Sequence, residues 1–138
     1  MIHRVTFRAF VASTEDDGKV REALSLFVPK ESISKTSVFG HHGNEIQILT
    51  ATLEKKAGLK FFDLLRERLS DREMVRLRRE AEERIDDGCN LHLRLDKQAA
   101  YRGGVRLVDS GDAISVRAHL ESYPAKRERA VKVAGDLL

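Results

Sequence analysis

The chain has 138 residues, of which 41% are hydrophobic and 34% are charged, with 25 lysines and arginines against 22 aspartates and glutamates. That length and apolar content suit one core, so we expect a single domain over residues 1–138. One cysteine excludes a disulfide framework or a thiolate metal site within one chain. No segment predicts a membrane span, and no basic and apolar leader is visible, so we expect a cytoplasmic protein.

The N-terminal part of the chain predicts a strand, a helix and a hairpin. Residues 2–12 alternate between apolar and polar side chains, which is typical of a half-buried strand. Thr14 is a suitable N-cap for the helix that follows, and Pro29 closes that helix. Residues 32–39 and 45–53 predict two strands joined by a short turn-forming loop.

Two helices are predicted in the middle of the chain. Apolar residues at helical spacing indicate a helix over residues 55–69. Its inward residues are predicted to be Leu59, Phe62, Leu65 and Leu69. Ser70, with Glu73 three residues later, forms a capping box that predicts the start of the third helix. We expect this helix to end at the turn formers of residues 86–88.

The C-terminal part of the chain predicts three strands and a last helix. Strand patterns cover residues 89–95, 105–108 and 113–123, and a short turn at 96–104 separates the first two. Pro124 is predicted in the first turn of the last helix. The order is β-α-β-β-α-α-β-β-β-α, which predicts an α+β fold with a mostly antiparallel sheet covered by helices on one face.

The strand alternation predicts a cationic set of side chains on the open face of that sheet. Its members are Arg4, Arg8, His92, Arg94, Arg106, Arg117 and His119, with Phe10 and Tyr123 as the aromatic residues. One interpretation is a solvated face whose cations pair with acids on the helices. The other is a nucleic-acid surface, because guanidinium groups suit phosphate oxygens and like charges on neighbouring strands repel. The few aromatic residues favour recognition of the RNA backbone over stacking on bases.

The start of the last helix adds a second cationic group. Lys126, Arg127 and Arg129 are expected where positive charge opposes the helix dipole, which favours a binding role over a purely solvated one. The arginines of the third helix differ, because glutamates four residues away neutralise them.

Other motifs predict no catalytic centre, cofactor or metal site. The Gly40-His41-His42-Gly43 run matches a GxxG loop, but here the loop joins two strands instead of two helices. Asp86 and Asp87 are read as turn residues, and Asp96 as a helix N-cap. Cys89 has the inward parity of its strand, which indicates a core residue.

Three runs of sequence resemble one known family. They are Arg84-Ile85-Asp86, Leu93-Arg94-Leu95-Asp96-Lys97-Gln98-Ala99-Ala100-Tyr101 and Tyr123-Pro124-Ala125-Lys126-Arg127-Glu128, and the opening Phe7-Arg8-Ala9-Phe10 with Thr14-Glu15 agrees in order. The family is the archaeal RNA-binding proteins described as predicted exosome subunits. The resemblance implies a fold similar to the ribosomal protein that binds five-S RNA. It also implies RNA as the partner, in RNA processing or ribosome assembly, with exosome or ribosomal components.

The Asp96-Lys97-Gln98 segment has two interpretations. It is either a capped helical turn with Lys97 in solvent, or a corner that presents Lys97 and Gln98 beside the cationic face. For the whole protein, the main alternative to an RNA-binding module is a homodimer or assembly factor that uses the open face for protein contact. We expect neither an enzyme nor a membrane partner.

Overall fold

The computed structural model of the protein describes residues 2–40, 43 and 45–138. These residues form five strands, five α-helices and one 3₁₀ turn at Lys30–Ser32. The strands are β1 (Ile2–Val11), β2 (Ser34–Phe39), β3 (Glu45–Glu54), β4 (Asn90–Asp96) and β5 (Ala113–Leu120). The helices are α1 (Asp17–Leu24), α2 (Lys55–Arg68), α3 (Asp71–Glu80), α4 (Lys97–Tyr101) and α5 (Arg127–Leu137). The histidines of the GxxG motif, His41 and His42, lie outside the described residues.

The strands make one open antiparallel sheet in the order β2-β3-β1-β5-β4. β2 and β3 form the predicted hairpin, in which Ser34 lies opposite Thr50 and Phe39 opposite Glu45. The predicted α+β class is therefore confirmed. Across the described part of the chain, no helix combines the length and the apolar character that a membrane span requires.

The chain divides into two compact units, and the first comprises residues 1–5, 53–93 and 116–138. Its core contains the apolar sides of α2, α3 and α5, and Phe62, Leu65 and Leu77 are fully buried there. A Cβ at Gly58 would lie 3.1 Å from Cγ2 of Val5, so α2 approaches this part of β1 closely because residue 58 has no side chain.

The second unit comprises residues 6–52 and 94–115 and contains β2, most of β3, α1 and α4. Phe7, Leu24 and Leu49 are fully buried in its core. The rings of Phe7 and Phe27 stack at 5.8 Å between their centroids. The single domain expected over residues 1–138 stays a prediction.

The helix starts show which side chains act as caps. The capping box of Ser70 and Glu73 at the start of α3 is confirmed. α1 starts later than predicted, because Asp16 and not Thr14 accepts the capping hydrogen bond from a backbone N–H of the first turn. α5 begins after Lys126, so Pro124 precedes the helix and its predicted place in the first turn is wrong.

Two other predicted features are wrong. No strand forms at residues 105–108, because Leu107 pairs with Leu95 only in an isolated bridge and α4 occupies part of the predicted turn. On α2, Leu59 is 40% exposed whereas Phe61 is buried. The helix is rotated from the predicted orientation because it turns Gly58 and Phe61 inward.

Candidate nucleic-acid interface

The cations predicted on the sheet face belong to both compact units. Arg4, His92, Arg117 and His119 lie in the first unit, and Arg8, Arg94 and Arg106 lie in the second. Arg4, Arg8, Arg106 and Arg117 are exposed, as their parity predicts. Within the described residues no carboxylate pairs with any of these four, so their charge is uncompensated there.

His119 lies near cations of the first unit, Arg4 and Arg117, and its environment favours the neutral imidazole. Burial of the imidazole, followed by the positive charges nearby, of which Arg4 contributes most, lowers its pKa below the usual 6.5. The amide nitrogen of Asn90 donates to Asp86, so its oxygen accepts from Nδ1–H of His119 at 3.1 Å. Nε2 of the neutral ring therefore carries a lone pair.

Asp86 organises the turn before β4, as the sequence indicates. Its carboxylate accepts from the N–H groups of Gly88 and Asn90 and from Nε2–H of His92, the last at 2.7 Å. Burial raises the pKa of Asp86, but these hydrogen bonds outweigh it and lower the pKa to about 2. His92 is therefore tied to the turn. Among the described residues, no group of three or more His, Cys, Asp or Glu side chains is arranged to hold a metal ion.

The arginines of the second unit differ in how they are held. Arg94 is half-buried and donates from Nη2 to the carbonyl of Gly111, whereas Arg106 is exposed. The guanidinium of Arg8 lies 5.2 Å from the centroid of the Phe10 ring, which is itself 42% exposed. Arg8 and Arg106 therefore present charge to solvent, while Arg94 holds a loop.

Lys97 is buried, and both interpretations of its position from the sequence are wrong. The side chain is only 5% exposed. Its ammonium contacts oxygen atoms of three residues: Phe10 O at 2.8 Å, Glu15 Oε2 at 3.0 Å and Oε1 at 3.3 Å, and Asp112 Oδ2 at 2.6 Å. Because its donors are used within the second unit, Lys97 is a structural residue. The predicted N-cap is confirmed, since Asp96 accepts from the N–H of Gln98 at 3.2 Å, and Gln98 is exposed.

The three cations at the start of α5 are not equivalent. Lys126 and Arg129 are exposed, and no acid pairs with them in the described part of the chain. Arg127 is half-buried and donates from Nε to the carbonyl of Ile85 at 3.0 Å, and from Nη2 to the carbonyl of Glu82. These bonds tie the helix to the segment after α3, so the expected exposure of Arg127 is wrong.

The first unit has an open depression of about 610 Å³. Its lining includes Arg4, His119 and Tyr123, and also His3 and Glu121, which sequence reasoning did not select. His3 donates from Nδ1 to Oε1 of Glu121 at 3.2 Å, and this bond is the main cause that lowers the pKa of Glu121. His3 was missed because its parity in β1 is that of the buried residues.

This chain is similar in sequence and structure to several known proteins. A family model described as RNA binding matches residues 4–120. The RNA-binding protein PAB1135 of Pyrococcus abyssi is 34% identical over 143 residues, which cover 99% of this chain and 93% of that protein. Two solved structures of DUF54 proteins are each 39% identical to this chain. They are protein AF2318 of Archaeoglobus fulgidus, with a TM-score of 0.88 and full coverage of both chains, and Mth689 of Methanothermobacter thermautotrophicus, with a TM-score of 0.85 over 100% of this chain and 98% of that one.

Proposed function

The chain belongs to the family described as RNA binding, and from that premise we propose that it is a non-catalytic protein that holds the sugar-phosphate backbone of RNA. The proposed contacts are the exposed residues Arg4, Arg8, Gln98, Arg106, Arg117, Lys126 and Arg129. As part of the same proposal, the protein works in the cytoplasm, in RNA processing with the exosome or in ribosome assembly.

The observation that carries the proposal is a pair of arginines near His119 with which no carboxylate of the described residues forms an ion pair. Arg4 and Arg117 are both exposed, and both lie near enough to His119 to lower its pKa. Like charges on neighbouring strands repel, so a bound anion would stabilise this pair. Phosphate oxygens supply the missing negative charge, and the guanidinium fork suits them.

The test is a filter-binding titration with single-stranded and structured RNA at two or more salt concentrations. On single strands, the slope of log K against log salt should be about −0.7 per phosphate contact. Arg4→Gln and Arg117→Gln should each weaken binding and reduce that slope by about 0.7. Arg79→Gln is the matched control, because Arg79 is an exposed arginine of α3 outside the proposed surface.

A salt-independent affinity, or equal effects of all three substitutions, would contradict backbone binding at this surface. Loss of a stable dimer in the Arg4→Gln protein, with no RNA binding by the unchanged protein, would favour the homodimer or assembly factor instead.

A further inference from the structure

Tyr123 is the most exposed large apolar side chain among the described residues. It is 94% exposed, so its ring buries almost no area and contributes little to the fold. The other tyrosine, Tyr101, is 43% exposed and has the ammonium of Lys19 6.0 Å from the centroid of its ring. Tyr123 therefore differs from Tyr101 in offering its ring to solvent, at the wall of the depression defined above.

The walls of that depression differ in chemistry from place to place. Arg4 supplies an exposed positive charge, and His119 supplies a neutral imidazole. Asp87 and Glu121 supply carboxylate oxygens, which only accept hydrogen bonds when ionised. One site thus combines an aromatic ring, a cation and acceptors.

These features match one nucleotide of a single strand. An unpaired base stacks on aromatic rings, and its amino and imino groups donate to acceptors such as carboxylates. A phosphate needs the positive charge, and Arg4 is the cation in the lining. The depression of about 610 Å³ falls within the roughly 300–1,000 Å³ of small-ligand sites.

We propose that this depression binds one unpaired nucleotide of RNA, with its base stacked on Tyr123 and its phosphate beside Arg4. The inference rests on the proposed function and deepens it, because it places one base contact within a surface that otherwise holds the backbone. In this proposal the carboxylates of Asp87 and Glu121, which also line the depression, accept N–H groups of the base.

The first experiment uses the intrinsic fluorescence of the protein. The chain has no tryptophan and two tyrosines, so in a Tyr101→Phe variant all emission comes from Tyr123. Titration with a single-stranded oligoribonucleotide of mixed sequence should quench this emission, after correction for absorbance with free tyrosinamide. Stacking of a base on the ring is the reason. Unchanged emission at RNA concentrations that saturate filter binding would overturn the nucleotide site.

The second experiment compares affinities of the full chain for the same oligoribonucleotide. Tyr123→Ala should weaken binding about tenfold, since stacking on an aromatic ring carries that much affinity per base. Tyr123→Phe should bind within about twofold of the unchanged protein, because the π-face remains. Phe39→Ala is the matched control, as Phe39 is 74% exposed at the end of β2 and does not line the depression.

The outcomes separate the two proposals. If Tyr123→Ala binds as tightly as the unchanged protein while Arg4→Gln binds more weakly, the nucleotide site is wrong and backbone binding stands. If the unchanged protein binds no RNA at any salt concentration, both are wrong. Far-ultraviolet circular dichroism and the thermal midpoint confirm that each variant is folded.

Discussion

Replacement of Lys97 by methionine tests whether this buried lysine holds the second unit together. Methionine keeps most of the apolar stem and removes the ammonium, which contacts Phe10 O, Glu15 and Asp112. We expect the Lys97→Met protein to fold and to lose stability. We also expect it to bind RNA as tightly as the unchanged protein, since Lys97 is only 5% exposed.

The expected loss of stability depends on how each partner of Lys97 is solvated or bonded once the ammonium is removed. Asp112 is 54% exposed and water can replace the ammonium there, so loss of this ion pair costs little stability. Glu15 is 29% exposed and keeps its hydrogen bond from the N–H of Ala12. The carbonyl of Phe10 loses a charged donor, which costs about 1–3 kcal/mol if it stays dry. Relief of the desolvation of the buried ammonium offsets part of this cost, so we expect a net loss of stability of about 1–2 kcal/mol.

The measurement is the free energy of unfolding from urea titration followed by circular dichroism. Lys97→Ala should lose about 2 kcal/mol more than Lys97→Met, because alanine lacks the buried Cγ, Sδ and Cε of methionine and a buried group of this size contributes about 0.8 kcal/mol. Lys19→Met is the control: Lys19 is an exposed lysine of the same unit, and its loss should change stability by less than about 0.5 kcal/mol. A loss below about 0.5 kcal/mol for Lys97→Met as well would refute the argument that these contacts hold the unit.

The Lys97→Met protein gives a second readout at Glu15. Burial raises the pKa of this carboxyl, but hydrogen bonds from the N–H of Ala12 and from Lys97 outweigh it and keep the pKa below its usual value. Lys97→Met should therefore raise the pKa of Glu15, as measured by NMR titration of the side-chain carboxyl. An unshifted titration would mean that the ammonium does not act on this group.

The remaining predictions concern Arg127 and His119 of the first unit. Arg127→Gln should lower the free energy of unfolding by about 1–2 kcal/mol, because it removes a part-buried hydrogen bond to the carbonyl of Ile85 and a second bond to the carbonyl of Glu82. Lys126→Gln should change the free energy of unfolding by less than about 0.5 kcal/mol. Equal effects of the two substitutions in urea titrations would contradict the assignment of Arg127 to the fold. The folded-state pKa of His119 lies below 6.5, so between the two values the unfolded chain binds more protons and the free energy of unfolding falls as pH falls through this window. His119→Gln should flatten that dependence. In NMR titrations, bound RNA should raise the pKa of His119, since phosphate offsets the charge of Arg4 and Arg117.

The sequence by itself determined the features that depend on neighbours a few residues apart. Alternation along β1 and β5 predicts which arginines face solvent, because successive side chains of a strand point to opposite faces. The capping box at Ser70 and Glu73 is equally local. The family resemblance, carried by short runs such as Arg94–Tyr101, is confirmed by the match over residues 4–120.

Only the tertiary structure decided which polar side chains are available for binding. Lys97 reads as an exposed lysine at a helix start, yet its partner Glu15 lies 82 positions away in the sequence. Arg127 reads like Lys126, yet it bonds a carbonyl 42 positions away. An ammonium or guanidinium is unavailable for binding when oxygen atoms from distant parts of the chain accept its hydrogen bonds. The periodicity of the sequence does not show which oxygen atoms the folded backbone brings within hydrogen-bond distance.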